Sequence, residues 1–223
     1  MAAAIPACEE KAALCRHTYD QELCAFANKI CDEIIGNWVM SEVRPGGWNP
    51  YDTRLKCERP PLCSDYNKDE TLEFLNQAWV QESLGFSHFQ FELIDFEVNK
   101  RWEKGNTVWV PVTQELTRLL DNTDIRFLFI NGNNDLLVNT PGQMRLLDQM
   151  AWNGQAQFRT LEYRDWFYKN GELSDGGDGG SHKGGIWKGH GPLNIFAVDE
   201  AGHFAPMNQP EAIGAVMRAW LRL

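Results

Sequence analysis

With 223 residues the chain is long enough to bury a substantial core, which excludes a mini-protein held together by disulfides alone. Hydrophobic residues make up 43% and charged residues 23%, the balance of an ordinary globular protein and not of a disordered one. Lys and Arg total 21 against 31 Asp and Glu, so the net charge is −10 and nothing offers a basic stripe to nucleic acid. No apolar run approaches the roughly 18 residues that a membrane span requires.

The first ten residues, MAAAIPACEE, lack the basic start and apolar stretch of a secretion signal. Cys8, Cys15, Cys24 and Cys31 follow at spacings of 7, 9 and 7. Seven residues are two helical turns, so each pair shares one helix face. Arg16-His17-Thr18-Tyr19-Asp20 can turn the chain back between two antiparallel helices. That geometry selects one of three pairings, outer with outer and inner with inner: Cys8–Cys31 and Cys15–Cys24. Cys57 and Cys63 flank Arg59-Pro60-Pro61 and form a local pair. No C-x-x-C occurs, which disfavours zinc, so the six cysteines point to an oxidising compartment. Three disulfides without a signal are contradictory unless sequence is missing upstream of Met1.

Further along, Pro45-Gly46-Gly47-Trp48-Asn49-Pro50 breaks the chain. Asp69 is placed to cap a helix over 70–83, with Leu72, Leu75, Trp79 and Val80 at helical spacing. Residues 112–121 read as a short helix. Residues 125–130 (IRFLFI) read as a buried strand ending in Asn131-Gly132. A helix over 141–151 opens with Pro141. A strand is expected over 156–163, a loop over 171–191 carrying eight glycines up to Gly189, a strand over 193–198, and an amphipathic helix from Pro210. Strands alternating with helices predict a parallel α/β sheet. The run DGGDGGSHKGGIWKGHG is not a phosphate cradle: no Lys-Ser/Thr and helix follow it, and its two Asp would repel phosphate.

Two post-strand loops carry chemistry. One holds Asn131-Gly132-Asn133-Asn134-Asp135, the other Asp199-Glu200-Ala201-Gly202-His203-Phe204. The ligand crevice of an open α/β sheet lies at the carboxyl ends of its strands, so both loops fall on one edge. An Asp followed much later by a His is the second and third member of the Ser…Asp…His order of α/β-hydrolases. The His accepts a serine proton there, and the carboxylate fixes its tautomer.

FLFINGNNDLLVN and AVDEAGHFAPMNQPEAIGAVMRAWL resemble the two carboxy-terminal signatures of the serine carboxypeptidases, an α/β-hydrolase family. The 7-9-7 cysteine ladder resembles that family's helical insertion, and YDTRLKCERPPLCSDY…LNQAWVQESLG the segment after it. The resemblance implies a disulfide-bearing helical insertion segment over 1–65 and the carboxy-terminal part of an α/β-hydrolase domain over 66–223. It implies Asp135 as the triad aspartate, His203 as the base and Phe204 beside the leaving-residue pocket. Peptide is the implied substrate, no cofactor or metal is expected, and the compartment is vacuolar, lysosomal or extracellular.

The departures matter equally. The Asn-Gly-Gly-Pro-Gly-Cys motif and the Gly-Glu-Ser-Tyr elbow of the family are absent, and Ile94 stands where many members have a cysteine. Of Ser41, Ser64, Ser83, Ser87, Ser174 and Ser181, only Ser87 approaches G-x-S-x-G, and it lacks the second Gly. The chain therefore contains no nucleophile. His17, His88, His182 and His190 read as solvated or loop residues. The expectation is an inactive chain that needs the amino-terminal half of the enzyme, because the triad acts as a unit. A non-catalytic binding module and an acyltransferase with the same triad remain as alternatives.

Overall fold

The computed structural model describes residues 5–60, 63, 69–86, 89–92, 94–176 and 179–222. They form two compact units, Met1–Pro45 with Glu58–Pro111, and Gly46–Cys57 with Val112–Leu223.

The first unit begins with the hairpin α1 (Ile5–Thr18) and α2 (Gln21–Cys31). Tyr19 turns the chain at φ 52°, and the Asp20 side chain caps α2 by accepting from the Leu23 N–H at 2.8 Å. The two helices are stapled as their spacing requires, Cys8 to Cys31 and Cys15 to Cys24. Cys57 and Cys63 are oxidised as well, and no cysteine is free. A π-helical turn (Asp32–Gly36) and α3 (Asn37–Ser41) follow. Cys15, Cys24 and Ala27 are buried together against Trp109 and Val110.

The helix expected over 70–83 is two helices, α4 (Asp69–Leu75) and α5 (Ala78–Ser83). Side-chain amides cause the break. Asn76 Nδ2 donates to the carbonyls of Leu72 and Phe91, and its Oδ1 accepts from the Phe91 N–H. Gln81 clasps Phe89 in the same way, donating to its carbonyl and accepting from its N–H. These amides replace helix continuity with a cross-link to the following segment. Helix α6 (Phe96–Lys104) closes the unit, capped by Asp95.

The second unit contains α7 (Thr113–Asn122), β1 (Phe127–Gly132), α8 (Thr140–Gln149), α9 (Gln155–Thr160), β2 (Arg164–Lys169), β3 (Glu172–Ser174), β4 (His182–His190), β5 (Leu193–Val198), α10 (Ala205–Asn208) and α11 (Pro210–Arg222). The sheet order is β1-β5-β4-β2-β3. Side chains alternate across it. Phe127, Phe129, Leu193 and Ile195 pack with Leu120, Leu147, Met150 and Phe158. Leu128, Ile130, Phe196 and Val198 face the other way, toward Ala212, Ile213 and Val216 of α11.

The sheet is mixed and not parallel throughout. β1 and β5 pair in parallel, whereas β2–β3, β2–β4 and β4–β5 are antiparallel. Two tight turns explain this, since two residues can join only antiparallel strands. Asn170-Gly171, both at positive φ, joins β2 to β3, and Gly191-Pro192 joins β4 to β5. The expected strand over 156–163 is α9 followed by the later strand β2. The expected loop over 171–191 is largely β3 and β4, so His182 and His190 lie on a strand. Helix 112–121, strand 125–130, helix 141–151 and strand 193–198 all appear, shifted by no more than two residues at most boundaries.

Candidate active site

β1 ends at Gly132 opposite Val198, the last residue of β5, so both following loops leave the same sheet edge. The loops are stitched together by backbone. The Asn133 N–H donates to the Val198 carbonyl at 2.9 Å and the Asn134 N–H to the Ala201 carbonyl at 2.8 Å. The approach is so close that a Cβ on Gly132 would stand 2.2 Å from the Gly202 carbonyl oxygen, which demands glycine. Asn131 and Thr140 are buried beneath, joined at 2.8 Å.

On this base Asp135 and His203 meet. Their side chains are 68 residues apart in sequence, and His203 Nδ1 lies 2.8 Å from Asp135 Oδ2. Asp135 Oδ1 accepts from the N–H groups of Leu137 and Val138, each at 3.0 Å, which fixes the carboxylate plane. The Asp135 side chain is 3% exposed and that of His203 35%. A carboxylate accepts only, so this hydrogen bond is donated by Nδ1–H. Among the described residues no hydrogen-bond partner meets Nε2. The pair is therefore a buried carboxylate, held by two backbone N–H groups, joined to a partly exposed imidazole.

Tyr51 packs its ring edge-on to His203, with centroids 5.5 Å apart. Burial, then the Asp135 charge, push the Tyr51 phenol above its ordinary value. Phe204 lies 5.2 Å from the imidazole and 6.4 Å from the Tyr51 ring. Sequence reasoning assigned no role to residues 49–54, although YDTR was among the segments quoted above.

The described serines are engaged elsewhere. Ser41 and Ser83 donate to the Trp38 and Trp79 carbonyls of their own helices, and Ser174 bonds Ser181 at 2.8 Å. Ser64, Ser87 and His88 lie outside the described residues. Among the described residues no group of three or more His, Cys, Asp or Glu could hold a metal, and no helix is long and apolar enough to cross a membrane.

An open α/β sheet with paired loops at the ends of two adjacent parallel strands defines the carboxy-terminal part of an α/β-hydrolase sheet. The chain belongs to the serine carboxypeptidase family, whose model matches residues 4–223. It is 33% identical over 222 residues to a serine carboxypeptidase-like protein of Pisum sativum, covering 98% of this chain and 69% of that protein. It is 31% identical over 204 residues to serine carboxypeptidase-like 47 of Arabidopsis thaliana, covering 90% of this chain but only 36% of that one. The fold resembles Kex1(delta)p, a prohormone-processing carboxypeptidase of Saccharomyces cerevisiae. The TM-score is 0.68 at 20% identity, across 85% of this chain and 41% of the yeast chain. Apart from the pea protein, the chain spans about two fifths or less of these relatives' length.

Proposed function

We propose that this chain supplies the base and its orienting carboxylate to a serine carboxypeptidase whose nucleophile is carried by the amino-terminal half of the same enzyme. The observation that carries the reading is the 2.8 Å contact between His203 Nδ1 and the buried Asp135, with the imidazole partly exposed. A serine hydroxyl placed at Nε2 would lose its proton to the imidazole as its oxygen attacks the last peptide carbonyl. The imidazolium then returns that proton to the departing amine, releasing the C-terminal amino acid and leaving an acyl-serine. Water, deprotonated by the same nitrogen, hydrolyses the ester. Asp135 holds the tautomer and balances the transient positive charge throughout. The 5.2 Å approach of the Phe204 ring to the imidazole supports assigning Phe204 to the pocket of the departing residue. The Cys8–Cys31 and Cys15–Cys24 staples support a helical insertion segment and an oxidising compartment, secreted or vacuolar.

A fluorophosphonate probe tests this. The purified chain should remain unlabelled. Adding the serine-bearing half should give labelling and release of the last residue from a blocked dipeptide, and His203→Gln should abolish both. Labelling of the chain alone would overturn the assignment. Transfer of the acyl group to an alcohol with no hydrolysis would favour an acyltransferase.

A further inference from the structure

The segment 46–57 lies far upstream of β1, yet it belongs to the sheet-bearing unit. It closes on itself: Trp48 bridges Lys56, the Gly46 N–H donates to the Cys57 carbonyl, and the Cys57 N–H donates to the Gly47 carbonyl. From this closed strap, backbone bonds reach both site loops. The Pro50 carbonyl accepts from the N–H groups of Leu136 and Leu137 at 3.0 and 3.3 Å, directly after Asp135. The Thr53 N–H donates to the Asn134 carbonyl at 2.9 Å, directly before it. The Tyr51 carbonyl accepts from the His203 N–H at 2.7 Å. Gly202 lies flat against the strap, where a Cβ would stand 2.3 Å from the Tyr51 carbonyl oxygen and 2.8 Å from Asp52 Cβ.

One side chain fastens the strap to the histidine loop. Arg54 forks onto the buried Asp52, Nε to Oδ1 at 2.9 Å and Nη2 to Oδ2 at 2.5 Å. Its remaining nitrogen, Nη1, donates to the Glu200 carbonyl at 2.5 Å and to Glu200 Oε2 at 3.2 Å. Glu200 sits at φ 52°, a left-handed conformation that disfavours a non-glycine residue and that such a tether helps to hold. Gln209 Nε2 adds a second donor to the same carbonyl at 3.1 Å.

We propose that Arg54 is a positioning residue for His203, latching the strap 46–57 across both site loops so that imidazole and carboxylate keep their alignment. The inference rests on the reading of Asp135 and His203 as a catalytic pair. Loops at a sheet edge are the mobile part of a fold, and a displacement of about 1 Å is enough to cost on the order of a hundredfold in rate. A planar guanidinium grips both carboxylate oxygens with a rigid fork and still points a third N–H at another acceptor, whereas a lysine ammonium is a point charge without that fork.

The test is the exchange rate of the His203 Nδ1 proton, followed by NMR in this chain assembled with the amino-terminal half that the proposed function requires. Asp135→Asn identifies the resonance by removing its downfield shift. Arg54→Gln should speed exchange with water about tenfold or more, the scale set by losing a hydrogen bond to a charged group. Arg54→Lys, which keeps the charge, should give a smaller acceleration of the same sign. Arg222→Gln removes the Arg222–Glu172 ion pair and serves as control, with no change expected. Unchanged exchange in both Arg54 variants would overturn the latch. A parent chain with no Asp135-dependent resonance would instead overturn the catalytic pair, and the latch with it. If Arg54→Gln does not fold, the Arg54→Lys rate alone decides.

Discussion

Lys188 on β4 is 3% exposed, an unusual place for an ammonium. Its Nζ lies 2.6 Å from Asp148 Oδ1, and 4.5 and 4.9 Å from the ring centroids of Phe158 and Tyr163. Burial, then the Asp148 charge, drive the Tyr163 phenol above its ordinary value, so the ring stays neutral beside the ammonium. The two halves of the pair are not equally costly to orphan. The Asp148 side chain keeps 35% of its surface and can return to water, whereas Lys188 keeps 2%. Asp148→Asn should therefore cost about 3 kcal/mol, lowering Tm by roughly 6–12 °C, because it strands a buried charge. Lys188→Met should cost about 1 kcal/mol or less, since its methylenes and rings still pack. Thermal unfolding of the two variants checks this, and equal losses would contradict it. The same asymmetry governs what could be read from sequence. Asp135 and His203 were legible because each follows an apolar strand. Lys188 and Arg54 were not, because their partners are distant in sequence and only the folded sheet supplies them.

The glycines of β4 show why some elements escaped the sequence pattern. Glycine is depleted in strands, so eight of them from Gly171 to Gly189 point to a loop. Those within β4, Gly184, Gly185 and Gly189, serve close packing instead. A Cβ on Gly184 would stand 2.2 Å from the Trp166 ring, and one on Gly185 would stand 2.0 Å from the Ala197 carbonyl oxygen. Trp166 thus lies across the β4 backbone, donating its Nε1–H to the Ala197 carbonyl at 3.2 Å. The Asn170-Gly171 turn, both residues at positive φ, is the local hairpin signal within this stretch. The cysteine hairpin was legible because a repeat of seven has one geometric meaning. Helix α1 buries only Cys15, so packing contributes little and the staples hold it. Joint replacement of Cys8 and Cys31 by Ser should cost about 3 kcal/mol through loop entropy. Hydrogen exchange should then accelerate in α1 while β4 and β5 keep their protection. Equal loss of protection in both would show that the hairpin and the sheet unfold as one.

At the scale of the whole molecule, apolar surface is left uncovered in both units. Trp79 and Trp102 are 60% and 62% exposed, and Phe74, Phe86 and Phe89 are exposed beside them in sequence. In the sheet, β1 stands at the end of the strand order, and among the described residues it has a β-neighbour on one side alone. Phe127-Leu128-Phe129-Ile130 offers neither a charge nor a proline to discourage a second chain from pairing there. The net charge of −10 is a weak defence, because repulsion between dispersed surface charges is screened beyond about 10 Å, whereas strand pairing acts at contact. A chain spanning 36% of its Arabidopsis relative leaves room for polypeptide that covers this edge. The expected behaviour is self-association of the isolated chain at micromolar concentration and above. Addition of the serine-bearing half should give a 1:1 complex by light scattering. In that complex the β1 amides should exchange about a hundredfold more slowly, the scale of two hydrogen-bond energies. A monomer that stays dispersed with β1 already protected would mean that the edge is closed by this chain itself, and that no second half is needed to complete the sheet.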